Sequence, residues 1–152
     1  TTEELHDHFH CGEHKAESIF LEAQPELVEV ENAEALETLF AHFMSVRDDV
    51  LKALEVARNE KIIGKSLEAK VTLALKDECQ DVATLKDSLK QLFIVSKLDL
   101  VSSCEGMEEY EASYVKVEKF NGVVCKRCWN VYDASEMHDE DVCERCHEVL
   151  KD

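Results

Sequence analysis

The sequence predicts an α+β fold, in which a long helix is followed by a small β-α-β-β unit and a C-terminal four-cysteine knuckle module. Three observations support this fold class. Apolar residues recur from Leu36 to Ala57 at the spacing of one helical face. At residues 71–75 apolar residues instead alternate with others, which is typical of a strand. Two Cys-x-x-Cys pairs near the C-terminus predict a further small module.

The composition is that of an acidic chain with enough apolar residues for a core. It has 152 residues, 45% of them hydrophobic, which suffices for one domain or two small ones. No apolar run is long enough for a membrane span. The 34 Asp and Glu residues against 17 Lys and Arg give a net charge of −17, which argues against nonspecific binding of nucleic acid. Any RNA contact is therefore expected to be local, and no DNA partner is expected.

The first 31 residues are expected to end one helix and to link it to the next. Thr1-Thr2-Glu3-Glu4-Leu5 is typical of the middle of a helix, which suggests a fragment of a longer protein. Residues 1–10 are predicted as helix and residues 11–31 as irregular, with a short extended piece at 18–21. Five potential metal ligands here lack a regular ligand spacing, and we interpret them as a solvated helix end and loop. They are His6, His8, His10, Cys11 and His14.

The long helix is predicted within residues 32–64. Asn32 is expected to cap its N-terminus. The apolar face continues to about Arg58, and Gly64 is expected to stop any continuation.

The β-α-β-β unit is predicted within residues 65–120, from the change of apolar spacing and from turn residues. Its elements are a strand at 71–75, a helix at 82–93 with Thr84-x-x-Asp87 as a capping box, a strand at 97–103, a turn at 105–107 and a strand at 113–120. Asn121-Gly122 then predicts a turn into the cysteine module at residues 121–152.

The cysteine module has the spacing of a structural zinc site. A Cys-x-x-Cys turn directs both sulfurs at one point, and two such turns supply four thiolates in a tetrahedron with no open position for water. The predicted ligands of one structural zinc ion are Cys125, Cys128, Cys143 and Cys146. Arg127 and Arg145 each precede the second cysteine of a pair and would offset the charge of such a centre.

Three alternatives for these cysteines are an iron site of the rubredoxin type, a redox disulfide and cysteines without a chemical role. A rubredoxin turn usually has Gly after its second cysteine, whereas Trp129 and His147 stand there. Two facing pairs favour a metal over a redox pair. His138 and His147 are redundant beside four thiolates, and Cys79 and Cys104 are interpreted as small apolar fillers.

The sequence signals for RNA-binding residues are less specific than the signal for the metal site. Residues 52–70 are net basic through Lys52, Arg58, Lys61, Lys65 and Lys70, but the intervening acids favour a solvated face over an RNA patch. Trp129, the only tryptophan, can pack over the metal turn or stack on a base. We find no phosphate-binding glycine loop, no nucleophile with a matched base and no open metal site.

The stretch from Arg47 to Val71 (RDDVLKALEVARNEKIIGKSLEAKV) resembles the C-terminal region of bacterial isoleucyl-tRNA synthetases, a family of class I aminoacyl-tRNA synthetases. The ending with Cys-x-x-Cys-Trp at Cys125–Trp129 and a second Cys-x-x-Cys is similar to the zinc finger of that family. The resemblance implies that residues 1–31 end the anticodon-binding helical domain and its linker, and that residues 121–152 are the zinc finger.

The same resemblance implies a function for the chain as part of an enzyme. The parent attaches isoleucine to its tRNA using ATP, in the cytoplasm. The His-x-Gly-His and Lys-Met-Ser-Lys-Ser motifs of its catalytic domain are absent here, so a non-catalytic, tRNA-binding role is expected. The expected partners are the tRNA for isoleucine and the rest of the synthetase chain. Two alternatives are a zinc-stabilised protein–protein interaction module and a structural end module without RNA contact.

We place the expected RNA contact on the two Cys-x-x-Cys turns. A bound metal would fix their backbones, so these turns would lose less conformational freedom on binding RNA. Arginine suits bidentate phosphate contact, and tryptophan offers a stacking face. The candidates are Lys126, Arg127, Trp129 and Arg145. The alternative is that the arginines only neutralise the metal centre, in which case the contact would move to residues 52–65.

Overall fold

The computed structural model of the chain describes residues 2–8, 15–24, 26–138 and 141–151. The chain divides into two compact units, Thr1–Asn32 and Ala33–Asp152. The second unit combines helix, sheet and the C-terminal cysteine cluster, so the predicted α+β fold class is confirmed. Within the described residues, none of the helices has the length and apolar character needed to cross a membrane.

The first unit contains helix α1 (Thr2–His8) and one turn of 3₁₀ helix at Ile19–Leu21. The predicted extended piece at 18–21 is therefore wrong. The Ser18 side chain accepts a hydrogen bond from the Phe20 N–H at 3.2 Å, and the Ser18 carbonyl accepts one from Leu21 at 3.0 Å. This local bonding by serine competes with an extended strand. Glu3 accepts a further bond from the Ser18 hydroxyl, which ties the turn to α1.

His6 is buried, although a solvated helix end was predicted for it. Its Nε2 lies 2.8 Å from the Glu22 carboxylate, which also accepts a bond from the Ala16 N–H. The hydrogen bond from His6, followed by that from Ala16, lowers the pKa of Glu22. His8 lies at the end of α1 and is exposed. The predictions for His10, Cys11 and His14 fall outside the described residues.

Helix α2 (Ala33–Asn59) is the long helix that the apolar spacing predicts. Its buried face carries Phe43, Val46, Val50, Leu54 and Ala57, at intervals of three and four residues. This face packs on one side of the sheet and supplies much of the main core.

The ends of α2 differ from those predicted. Asn32 precedes the helix, but its φ of 62° is left-handed, whereas a side-chain cap requires extended backbone. The helix is stopped by Lys61 rather than by Gly64. Lys61 is left-handed (φ 63°), the Ile62 N–H bonds to the Ala57 carbonyl at 2.9 Å, and the Lys61 N–H bonds to Arg58 at 3.0 Å. These two bonds form a Schellman motif with lysine in the position usual for glycine.

The main sheet has four strands in the order β2-β1-β4-β3. The strands are β1 (Ala69–Leu75), β2 (Lys97–Leu100), β3 (Glu108–Glu109) and β4 (Ser113–Lys119). β1 pairs with β2 in parallel and with β4 antiparallel, and β3 pairs antiparallel with β4. The three predicted strands are present, and β3 is an additional strand after the predicted turn, where Gly106 has a φ of 72°.

The crossover from β1 to β2 differs from the predicted continuous helix at 82–93. A 3₁₀ segment at Asp77–Leu85, with non-helical backbone at Cys79, precedes the short helix α3 (Lys86–Leu92). The predicted capping box does not form. The Thr84 hydroxyl donates to the Asp81 carbonyl at 2.7 Å, inside the 3₁₀ segment, and α3 has no side-chain cap.

A buried carboxylate joins α2 to the sheet. Asp49 is only 1% exposed, and its Oδ2 accepts bonds from the Ala112 N–H at 2.8 Å and the Ser113 hydroxyl at 3.0 Å. Lys52 places its Nζ 3.9 Å from the other carboxylate oxygen. The carboxylate therefore fixes the start of β4 against the middle of α2.

We expect Asp49→Ala to lower the free energy of unfolding by about 3 kcal/mol, because it leaves a buried N–H and a buried hydroxyl without an acceptor. Asp48→Ala, at the exposed neighbouring position, is the matched control and should change stability by no more than about 0.5 kcal/mol. Urea unfolding followed by circular dichroism measures both. Equal losses in the two variants would contradict the structural role of Asp49.

Candidate metal centre

Two short strands and one helix bring the four cysteines together. Strands β5 (Val123–Val124) and β6 (Val131–Tyr132) form an antiparallel ribbon, and the first Cys-x-x-Cys pair lies in the loop between them. Helix α4 (Glu144–Leu150) begins directly after Cys143 and carries Cys146 in its first turn. Gly122 precedes the ribbon where a Cβ would lie 2.2 Å from the Tyr132 carbonyl oxygen, so only glycine fits without movement.

The four sulfurs have the spacing that a tetrahedral metal site requires. Cys125, Cys128, Cys143 and Cys146 place their Sγ atoms within 4.8 Å of one another, and those of Cys128 and Cys143 are 4.0 Å apart. Thiolates bound to one zinc ion at about 2.3 Å are about 3.8 Å apart. Three of the four cysteines are buried. The donor set therefore fits a metal ion that prefers sulfur ligands.

Hydrogen-bond donors surround the sulfurs. The Cys143 N–H lies 3.4 Å from the Cys125 Sγ, and the Asn130 side-chain amide lies 3.8 Å from the Cys128 Sγ. The Tyr132 hydroxyl is 3.7 Å from the same Cys128 sulfur. Burial, together with the neighbouring thiols, raises the pKa of Tyr132, so this hydroxyl keeps its proton and can donate it to a thiolate.

The thiols do not ionise with equal ease. Burial raises the pKa of Cys125, but N–H groups of Cys128, Cys143 and Arg127 outweigh it and lower that pKa to about 6. Arg127 favours the Cys146 thiolate, yet burial and the other three sulfurs raise the pKa of Cys146 to about 11. Four thiolates at this distance repel one another, so full ionisation near pH 7 requires a cation among them.

The four residues that we predicted for RNA contact have different surroundings. Arg127 directs its guanidinium at the Cys146 Sγ, at 3.6 Å, and so faces the centre. Lys126 forms an ion pair with Asp141. Arg145 is exposed and has no ion-pair partner among the described residues. Trp129 is 70% exposed, and its indole N–H donates to the Lys126 carbonyl at 3.2 Å, so one edge of the ring is held on the first Cys-x-x-Cys turn while most of the ring faces solvent.

The basic stretch at residues 52–70 is interleaved with acids, as the solvated-face interpretation requires. Arg58 pairs with Glu55, and Lys70 pairs with Asp99 at 3.0 Å. The exposed Lys61 and Lys65 have no ion pair within the part of the chain that the structure describes.

Sequence reasoning missed the residues that hold the metal module against the sheet. The buried Ser96 donates to the Leu67 carbonyl at 2.5 Å and accepts from the Val131 N–H at 2.7 Å. Lys97 pairs with Asp133 at 2.9 Å. A single serine before a strand gives no sequence signal of such a role, because both of its partners are backbone groups.

The remaining cysteines and histidines differ in burial. Cys79 is buried, as predicted, but Cys104 is exposed, so the prediction of an apolar filler is wrong there. His138 and His147 lie outside the four-sulfur cluster and stack on each other, with ring centroids 3.2 Å apart. His138 also lies 3.1 Å from the Glu144 carboxylate.

This geometry defines a class of protein module: a small α+β unit whose C-terminal end is organised around a closed four-thiolate centre. No family model matches the chain. Its curated relatives are isoleucine–tRNA ligases. Those of Bacillus cytotoxicus and Bacillus cereus are 44% and 45% identical to it, and the ligase of Bacillus anthracis is also 45% identical.

Each of these matches covers 90% of this chain but only 16% of the ligase, at its C-terminal end. The chain thus spans about a sixth of the length of the curated relatives it matches. It is homologous to the C-terminal region of the isoleucine–tRNA ligases, which are aminoacyl-tRNA synthetases, and the resemblance predicted from the sequence is confirmed.

We expect Cys143→Ser to abolish stoichiometric metal binding, because three thiolates no longer close the tetrahedron. The ribbon and α4 should lose protection from amide hydrogen exchange while β1 and β4 keep theirs. Elemental analysis and hydrogen exchange measure the two effects. Cys104→Ser, at the exposed cysteine outside the cluster, is the control and should keep both metal and protection. Full metal content in Cys143→Ser would contradict the ligand assignment.

Proposed function

We propose that the chain is the non-catalytic, tRNA-binding C-terminal part of an isoleucine–tRNA ligase, and that its four clustered cysteines hold one structural zinc ion. The parent enzyme would attach isoleucine to its tRNA using ATP, in the cytoplasm. The partners of the chain would be the tRNA for isoleucine and the rest of the ligase. Homology to the C-terminal region of these ligases supports the assignment.

Zinc is the metal that best suits this donor set. Four thiolates satisfy its tetrahedral preference and leave no position for water or substrate, so the ion would stabilise the fold and take no part in catalysis. Cys125 and Cys128 would fix the loop between β5 and β6, while Cys143 and Cys146 would fix the start of α4.

The observation that carries the RNA proposal is the conformation of Trp129. Its φ of 63° is left-handed, which is unfavourable for a bulky side chain, yet its ring is 70% exposed. Packing does not explain a tryptophan there, because the ring gains little burial. A flat aromatic face held beside a metal-fixed turn is suited to stacking on an unpaired base.

The surroundings of the two arginines divide their proposed roles. Arg127 faces a sulfur and would neutralise the metal centre. Arg145 is exposed and free of ion pairs within the described ranges, so it would contact phosphate. The ion pair of Lys126 with Asp141 makes Lys126 a weaker candidate than Arg145.

A tRNA titration at two salt concentrations tests this function. We expect tRNA to quench the fluorescence of Trp129, the only tryptophan. Between about 50 and 200 mM salt the affinity should fall by about threefold for each phosphate contact, because binding releases counterions. Duplex DNA should neither quench nor compete. Absence of both quenching and salt dependence would contradict RNA binding by this chain.

A second candidate function is a structural end module that packs onto the rest of the ligase. An exposed apolar row on the N-terminal half of α2 favours it: Leu36, Phe40 and Met44 are each more than 40% exposed and recur every four residues. The strongly acidic charge is also consistent with this role. The same titration separates the two functions, because a purely structural module would not bind tRNA.

Paired arginine variants separate RNA contact from metal stabilisation. We expect Arg145→Gln to weaken tRNA binding by about tenfold, as expected for loss of a charge-assisted contact, with metal content unchanged. Arg127→Gln should instead reduce metal retention during chelator challenge, because a sulfur loses its donor. Equal effects of both variants on both readouts would contradict this division of roles.

A further inference from the structure

One of the four clustered cysteines is more accessible to solvent than the other three. Cys125, Cys143 and Cys146 are at most 2% exposed, whereas Cys128 is half-buried. The rate at which a cysteine reacts with an external reagent depends on access to its sulfur as well as on its thiolate character. A reagent that comes from solvent therefore reaches the centre first at Cys128.

Cys128 lines an open groove between α3 and the metal module. The groove has a volume of about 510 Å³, which lies within the range of small-molecule sites. The Asn130 amide and the Tyr132 hydroxyl belong to residues of the same groove, and they lie 3.8 Å and 3.7 Å from the Cys128 Sγ. Both groups can donate a hydrogen bond to a sulfur that carries negative charge. The groove thus gives a small reagent a route to a sulfur with donors beside it.

The charge of the groove is opposite in sign to that of the chain as a whole. Lys90 and Arg145 line it, against the single carboxylate of Asp87, whereas the chain has 34 acidic residues and 17 basic ones. Within the described residues, neither cation forms an ion pair. The Lys90 ammonium lies 4.8 Å from the centre of the Tyr132 ring, which holds it at the groove without neutralising its charge. A small anion is therefore attracted here, although the net charge of the chain repels it.

A second thiol lies within reach of Cys128 on the buried side. The Sγ atoms of Cys128 and Cys143 are 4.0 Å apart, and a disulfide requires a separation of about 2.05 Å. A small movement of the turn that carries Cys128 would bring the two sulfurs together. Cys143 can therefore displace a group that becomes bound to the Cys128 sulfur.

We infer that Cys128 is a modification site, at which an anionic low-molecular-weight disulfide enters the groove and forms a mixed disulfide that Cys143 then resolves. Lys90 and Arg145 would attract the carboxylates of the reagent and place its S–S bond beside the Cys128 sulfur. This inference goes beyond the proposed function, because it concerns oxidation of the cysteine centre and involves no RNA.

The modification consists of two thiol–disulfide exchanges. In the first, the Cys128 thiolate attacks one sulfur of the reagent, whose S–S bond breaks and whose other half leaves as a thiolate. In the second, the Cys143 thiolate attacks the Cys128 sulfur and releases the bound half as a second thiolate. Cys128 and Cys143 are thereby oxidised to one disulfide, and the reagent is reduced to two thiolates. Only Cys125 and Cys146 then remain as ligands, which are too few to hold the proposed zinc ion.

Peptide mapping by mass spectrometry, after brief exposure of the chain to disulfides of different charge, tests the inference. Glutathione disulfide is the anionic reagent and cystamine the cationic one. We expect Cys128 to be the first of the four clustered cysteines to be modified. The exposed Cys104, which precedes Glu105 and lies outside the groove, is the internal control. The ratio of the rate with glutathione disulfide to the rate with cystamine should be about tenfold higher at Cys128 than at Cys104.

Charge variants test the role of the groove. Lys90→Gln and Arg145→Gln should each slow the reaction of Cys128 with glutathione disulfide by about threefold, because each removes one attractive charge. The rate with the uncharged hydroxyethyl disulfide should not change. Lys86→Gln, which removes an exposed lysine of α3 outside the groove, is the matched control and should leave both rates unchanged. A zinc indicator dye should report loss of the metal as the disulfide between Cys128 and Cys143 forms.

First modification at another cysteine of the centre, or the same charge preference at Cys128 and Cys104, would overturn the inference. A chain that binds zinc and tRNA but does not react at Cys128 would overturn it and leave the proposed function intact. A chain that reacts at Cys128 with the expected charge preference but binds neither zinc nor tRNA would contradict the proposed function and support the modification site.

Discussion

Four sulfurs packed within 4.8 Å of one another impose the constraint on which the C-terminal end of this fold depends. The hydrophobic cluster there consists of the cysteines themselves, with Tyr132, Met137 and Val142 as its other apolar members. So few side chains cannot offset the entropy of ordering the ribbon and α4. A metal ion bound there would do so by converting repulsion among thiolates into ligand bonds, and the N–H groups aimed at the sulfurs stabilise those sulfurs most when they are charged.

The metal module becomes part of the larger unit through a small number of polar contacts. Ser96 joins the segment before β1 to β6, and Lys97, the first residue of β2, pairs with Asp133. Asp49 has the corresponding role between α2 and β4. Ser96 and Asp49 are buried and accept hydrogen bonds from backbone N–H groups, and Lys97 adds an ion pair, so the relative position of two elements is fixed by polar contacts as well as by apolar packing.

The sequence predicted those features that have a periodic or spaced signal. The stripe of α2, the alternation in β1 and the two Cys-x-x-Cys turns were all found, because burial and metal ligation impose regular spacing. The failures are local. Ser18 and Thr84 form side-chain bonds that favour 3₁₀ turns, and Lys61 rather than the predicted Gly64 ends α2. The spacing of apolar residues and cysteines carries no information on such local backbone conformations, or on the hydrogen-bond partners of a single serine such as Ser96.

The net charge of −17 limits the kind of RNA contact that the proposed function can use. A strongly acidic protein repels a polyanion at long range, so its own field cannot steer tRNA towards it. The proposed binding would then depend on short-range contacts that are fixed in advance, such as an exposed ring beside the cysteine turn and cations, such as Arg145, that have no carboxylate partner among the described residues. Contacts of this kind are most effective when another part of the same protein has already bound the RNA. The high effective concentration of RNA near the site then replaces long-range electrostatic attraction. In the proposed ligase, the remainder of the chain would supply that concentration, and the left-handed backbone at Trp129 would be tolerated because the contact needs no further ordering when RNA arrives.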